Sequence, residues 1–352
     1  MDVTDVYIRS VGTALPGPPI DNAALGARFG MEPVWAQWVE AFVGTRTRHL
    51  ALDLDSGEVR QSLADLGSDA ARTALERAGT GPGDIDVVVM GTASPDLLLP
   101  TTAHEIAGRL GLAHVPVFQL MSGCSGAFQA LELAQRLLAA GAHRSALVLG
   151  GDVCAKHFDL TADLRALPPA EMVNAVLFGD GAGAAVLSTR PAAAGTGRPH
   201  TVLRTAVTRM TGLDQAPGQV ARYFGQADRD SASAAVTEDY KAIEELVPQL
   251  AVDALAEVLS VAGWKESDVD YLLPPQLSGK MTATIIERLS LPLAEEVSCV
   301  EETANTGNAL PFFQLERALD RMRPGDRAVA VAVESSKWIT AGCALESVEA
   351  AA

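Results

Sequence analysis

Residues 69–89 read DAARTALERAGTGPGDIDVVV, and residues 253–273 read DALAEVLSVAGWKESDVDYLL. Leu75/Leu259, Ala78/Ala262, Gly79/Gly263, Asp84/Asp268 and Asp86/Asp270 all pair at one offset of 184 positions. In each copy a helical pattern ends at Ala-Gly, where glycine suits a left-handed cap, and a short acidic turn leads into an apolar strand. The offset holds further on, pairing Leu131, Glu132, Ala134 and Gly141 with Leu315, Glu316, Ala318 and Gly325. Both copies then pass an arginine (Arg144, Arg327) into a buried-strand pattern, ALVLGGD or AVAVAVE. One offset serving two separate blocks predicts a duplicated chain. Its halves, 1–195 and 196–352, change over near the Pro/Gly/Ala-rich PAAAGTGRPH. VVVMGTAS reads as a further strand, and SLADLGSDAARTALERAG and SGAFQALELAQRLLAAG as helices, giving an α/β class with covered sheets.

The 352 residues are 48% hydrophobic and 20% charged, enough for a sizeable core, and carry a formal net charge of −17. That charge repels a phosphate backbone, so small molecules or proteins are expected as partners rather than nucleic acid. The N-terminus has no basic region followed by an apolar run, and no uninterrupted apolar stretch of about 18 residues occurs. The expectation is a cytoplasmic protein without a membrane segment. Cys124, Cys154, Cys299 and Cys343 are too scattered for a zinc site or a disulfide framework, so no metal is expected.

The duplication bears on QLMSGCSGAFQAL, residues 119–131. Moving 184 positions on from Gly123-Cys124 leads to Gly307-Asn308. If the halves pack about a pseudo-twofold axis, the two strand-to-helix turns face each other, and Cys124 and Asn308 share a pocket. A cysteine at a helix N-terminus is expected to have a lowered pKa, beside amides able to hold an oxyanion. The competing reading is a well-packed apolar filler, which suits the other three cysteines. DGAG at residues 180–183 lacks the Lys-Ser/Thr ending of a phosphate loop and is expected to be a tight glycine turn.

Together, GCSGAF, LFGDGAGAAVLS, NTGNALPF, GTASPDLLLP and the N-terminal VGTALPGPPIDNAAL resemble the thiolase superfamily, specifically its β-ketoacyl-acyl carrier protein synthase III branch, over essentially the whole chain. The resemblance implies a thiolase fold, five-layered αβαβα from two duplicated halves, and a homodimer. It also implies that Cys124 accepts an acyl group from an acyl-CoA or acyl carrier protein thioester, with Asn308 as the active-site amide and no tightly bound cofactor. Two departures stand out. In YLLPPQLSG, Pro275, followed by Gln276, occupies the place of the family's histidine, and proline supplies no titrating group. In ESSKWITAG, Lys337 and Trp338 stand where the family has a glycine-rich loop beside the oxyanion and acyl pocket.

Trp38 aligns with a position that stacks on adenine and Lys280 with one that contacts phosphate, although each suits a core or solvated role as well. Leu99 matches a position that the dimer partner contributes to the acyl pocket, and LTADLRALPPAEM is longer than usual near the expected tunnel mouth. Losing one of two enolate donors costs about 100- to 1000-fold, which argues against efficient decarboxylative condensation. The expectation is an acyltransferase passing its acyl group to a hydroxyl, amine or carrier thiol in fatty-acid-like or polyketide biosynthesis. His104, Glu301 or Glu302 are the candidate bases. A condensing synthase with a non-standard catalytic set and a non-catalytic acyl-binding or partner subunit are the alternatives.

Overall fold

Ten strands join into one mixed sheet: β1 (Tyr7–Ala14), β2 (Val87–Gly91), β3 (Val117–Leu120), β4 (Ser145–Asp152), β5 (Gly181–Ser188), β6 (His200–Met210), β7 (Tyr271–Leu273), β8 (Glu295–Glu296), β9 (Arg327–Glu334) and β10 (Ile339–Val348). The structure is a computed structural model and describes residues 4–158, 160–167, 169–191, 200–222 and 236–349. The expected boundary at 195/196 lies outside the described residues.

Strand order is β8-β7-β9-β10-β6-β1-β5-β4-β2-β3. Numbered within each half, both halves run 3-2-4-5-1, so the repeated sequence is a repeated topology. Within the sheet they join where Tyr7 pairs with Val202 and Ile8 with Thr201. The repeated caps form as the sequence predicts: helix α1 (Leu63–Ala78) ends at Gly79 with φ 60°, and helix α4 (Tyr240–Ala262) at Gly263 with φ 71°.

The all-apolar strands are explained by helices on both faces. On β2 and β4, Val88, Met90, Leu147 and Leu149 pack against α1 and α2 (Thr102–Arg109), while Val87, Val89, Ala146 and Val148 point to α3 (Gly126–Ala139). In AVAVAVE of β9, Ala328, Ala330 and Ala332 face the middle of the molecule. There they meet the same core as α3 and α6 (Leu310–Leu319). Val329, Val331 and Val333 face α4 and α5 (Gly279–Leu289). The result is the αβαβα layering.

Two expectations change here. DGAG does not make a tight turn: Gly181 opens β5, which is buried along its whole length. Its glycines serve packing instead, since a Cβ at Gly183 would overlap Phe312 of α6. Trp338 does not enter the acyl pocket. With φ at 52° the backbone turns the indole away, and it is 1% exposed in the outer core of the second half, its Nε1 donating to Ala216 O at 2.7 Å. Trp338→Ala is expected to cost about 3–5 kcal/mol, read as a lowered denaturant midpoint.

Candidate active site

Cys124 and Asn308 occupy equivalent one-turn 3-10 segments, Gly123–Ser125 before α3 and Gly307–Ala309 before α6. Each begins at a left-handed glycine, Gly123 (φ 50°) and Gly307 (φ 55°). A carboxylate from the opposite half fits against each. β4 of the first half ends in Asp152, whose Oδ2 accepts from Asn308 N at 2.9 Å. β9 of the second half ends in Glu334, whose Oε2 accepts from Cys124 N. A Cβ at Gly123 would overlap the Glu334 carboxylate, and one at Gly307 would overlap Asp152, so both turns require glycine twice over, for backbone conformation and for space.

The two carboxylates are otherwise unlike. Asp152 has six donors: Thr92 Oγ1, Ala93 N, Ser94 N and Ser94 Oγ on Oδ1, and Asn308 N and Nδ2 on Oδ2. Glu334 has two backbone donors, Cys124 N on Oε2 and Ser336 N at 2.7 Å on Oε1.

A cavity of about 380 Å³ opens over Cys124, and the residues that line it include Asn305, Pro275, Gln276, Glu238, Glu334 and Lys280. Asn308 is absent from that lining. Its Nδ2 donates to Gly123 O (3.0 Å) and Asp152 Oδ2 (2.8 Å), and its Oδ1 accepts from Ala127 N (2.8 Å). Both ends of that amide are used in tying the two turns together, so the expected role of Asn308 as the amide facing substrate is corrected. The amide that reaches the cavity is three residues earlier. Asn305 Oδ1 accepts from Gly307 N at 3.0 Å, and Nδ2 has no partner among the described residues.

The expected low pKa of Cys124 is also corrected. Its thiol is pushed well above its usual value, by burial first, then by the charge of Glu334, that of Asp152, a hydrogen bond to Glu334 and the charge of Glu238. The amides that would have favoured a thiolate are engaged elsewhere: Cys124 N on Glu334 and Ala127 N on Asn308. The sulfur therefore carries its proton at rest.

Pro275 and Gln276 do line the cavity. Gln276 Oε1 accepts from Cys299 N and Val300 N, each at 2.7 Å, and its buried Nε2 has no partner among the described residues. The candidate bases fall outside the lining. His104 is exposed on α2 with Nδ1 on Thr101 Oγ1 at 2.7 Å, while Glu301 and Glu302 are surface groups paired with Arg46, and Glu302 also with Arg317. Trp38 lies against Phe42, ring centroids 5.9 Å apart, and packs on a satellite core; Phe42 and Lys280, not Trp38, line the cavity. From the long insertion's helix, Val173 and Leu177 reach it. Leu99 is 85% exposed, away from this chain's own cavity.

Glu238 and Glu334 were missed by sequence reasoning. Burial, and then the charge of Glu334, raise the Glu238 carboxyl against the hydrogen bonds of Gln219 and Asn174 that lower it. A signal for Glu334 was present: a carboxylate closing an otherwise apolar strand, as Asp152 does in the other copy. Among the described residues no cluster of His, Cys, Asp and Glu is arranged to hold a metal, and no helix is long and apolar enough to cross a membrane.

Residues 118–206 match the family model described as 3-Oxoacyl-[acyl-carrier-protein (ACP)] synthase III, and residues 259–344 match its C-terminal counterpart. The Beta-ketoacyl-[acyl-carrier-protein] synthase III 3 of Streptomyces coelicolor is 32% identical, over 92% of this chain and 92% of its own length. The synthase III of Sphingopyxis alaskensis is 30% identical, over 93% and 94%. Among solved structures, AbyA1, described as a tetronic acid condensing enzyme, superposes with a TM-score of 0.92 at 57% identity, covering 97% of this chain and 99% of that one. A synthase III from Pseudomonas aeruginosa gives 0.80 at 27%, covering 98% and 99%.

Proposed function

Since the chain belongs to the 3-oxoacyl-[acyl-carrier-protein] synthase III family, we propose that it loads an acyl group from an acyl-CoA or acyl carrier protein onto Cys124 and transfers it to an uncharged acceptor without decarboxylation. The acceptor is a hydroxyl, amine, carrier thiol or enolisable carbon. The observation that carries this reading is the charge of the cavity. Where the family's resemblance led us to expect an imidazole stands Pro275, and the carboxylates Glu238 and Glu334 line the space instead. A malonyl carboxylate about 6 Å from either would be opposed by roughly 3 kcal/mol at an effective dielectric of ~20. Neutral acceptors meet no such opposition.

The 57% relative supports the same class. A tetronic acid is a five-membered lactone with an enolised carbonyl in its ring. Building one from thioesters joins a C–O and a C–C bond, and neither step requires loss of carbon dioxide. In this reading Asn305 Nδ2 donates to a substrate carbonyl, and Phe42 and Lys280 take the pantetheine side of the donor.

We assign the working form as a homodimer. β3 is an edge strand, and Phe118 on it, Met121 just after it and Leu97, Leu98 and Leu99 nearby in sequence to β2 are all exposed. An open apolar edge of this kind is suited to pairing with a second copy.

Incubation of the protein with a panel of acyl-CoA and acyl carrier protein thioesters, followed by intact mass and peptide mapping, is expected to give an acyl adduct on Cys124. Adding malonyl thioester should leave the adduct in place with no release of carbon dioxide, whereas a hydroxyl-bearing or 1,3-dicarbonyl acceptor should discharge it. Carbon dioxide release coupled to product would overturn the non-decarboxylating reading.

A further inference from the structure

Two strands at equivalent places in the duplicated halves end in carboxylates, and each accepts from the backbone N–H of the opposite half's turn. Asp152, with six donors, is saturated and buried, and does not line the cavity. Glu334 accepts from two backbone donors among the described residues and from the Cys124 thiol, lines the cavity beside Cys124, and is held against the Gly123 turn. One copy of the duplicated cap is structural; the other retains acceptor capacity at a thiol.

We propose that the Glu334 carboxylate is the acid–base group for acyl transfer at Cys124, taking the place an imidazole would fill. The proposal rests on the acyl-transfer reading above. As the thioester carbonyl arrives, the S–H bond of Cys124 breaks, its proton passes to Glu334, and the sulfur bonds to the carbonyl carbon. The tetrahedral adduct then expels the donor thiolate, which takes the proton back from Glu334 and leaves as a thiol, so the carboxylate is regenerated and no further reactant is consumed. Transfer onward repeats the exchange, with the proton taken from the acceptor O–H, N–H, S–H or activated C–H.

Protonation also changes what the Cys124 N–H faces. A carboxylate is a strong acceptor and a neutral carboxyl a weaker one, by about twofold in hydrogen-bond strength. The N–H is thus freed for the oxyanion at the moment the oxyanion forms. Glu238, Glu244 and Lys280 line the same cavity.

Glu334→Gln removes the proton acceptor and keeps one of the two caps, since its single amide oxygen can still accept from Cys124 N–H while the contact with Ser336 N–H is lost. Single-turnover loading is expected to fall at least about 100-fold, within the usual range for removing a general base. Alkylation of Cys124 by iodoacetamide at pH 8 should become faster, because the repelling charge is gone and the thiolate is easier to form. Glu334→Asp should recover part of the loading rate. Loading by Glu334→Gln at the wild-type rate would overturn the proposal.

Should that variant fail to fold, the wild type carries the test alone. Proton transfer concerted with attack gives a normal solvent deuterium isotope effect on loading, whereas attack by a preformed thiolate gives an inverse one and overturns the proposal. A wild type that accepts no acyl group defeats the functional reading, while a wild type that loads beside an unimpaired Glu334→Gln defeats this inference alone.

Discussion

Cys124→Ala is expected to abolish the acyl adduct and to lower acyl transfer by at least about 10⁵-fold, the scale on which removing a covalent nucleophile acts. No neighbour can substitute: Cys154, the cysteine after β4, is also held well above its usual pKa, chiefly by burial, and does not line the cavity. Stability should change little, since the loss is one sulfur at the cavity wall and its contact with Glu334. The paired readouts are intact mass after acyl-CoA exposure and turnover with the same donor. Transfer persisting in Cys124→Ala would mean that donor and acceptor react directly and that the thiol is only a packing group.

Asp152→Ala is expected to prevent folding altogether. Its carboxylate satisfies six donors drawn from the loop after β2, residues 92–94, and from Asn308 in the other half. Leaving them buried without a partner costs at least ~1 kcal/mol each, about 6 kcal/mol together, which is comparable to the whole stability of an ordinary domain. Soluble yield and the thermal unfolding midpoint report the outcome. A soluble Asp152→Ala protein with a near-normal midpoint would show that water replaces the carboxylate and that the two turns are held by packing alone. The contrast with Glu334→Gln is informative, because equivalent carboxylates then fail in different ways, one in folding and the other in chemistry.

The candidate site was legible in part. Cys124 could be picked out because glycines and an apolar strand-to-helix pattern surround it, and the 184-residue offset led to the correct facing turn. The offset also points to Asn308, whose side chain does not line the cavity. Symmetry equates positions in the backbone, so it found Asn308, the true counterpart of Cys124. It could not show that the Asn308 side chain is consumed by Gly123, Asp152 and Ala127 while Asn305 looks into the cavity. His104, Glu301 and Glu302 can titrate, and nothing in their local sequence says that they lie on the surface, outside the cavity lining. Glu334 was passed over as the end of a strand, since nothing local in AVAVAVE says that its last residue meets a turn 210 positions away.

The sequence by itself determined the duplicated α/β architecture, the capped helices at Gly79 and Gly263, and the apolar strands that need helices on both faces. These follow from local periodicity and glycine's conformational freedom, which act over a few residues. Only the tertiary structure decided the electrostatics of the pocket. Hydrogen bonds from Cys124 N to Glu334 and from Ala127 N to Asn308 Oδ1 cross between the halves and occupy the amides that would otherwise have favoured a thiolate. Burial first, and then the charges of Glu334 and Asp152, reverse the expected shift of Cys124. A pKa depends on what surrounds a group in space, and at this thiol the nearest charge comes from the far half of the chain.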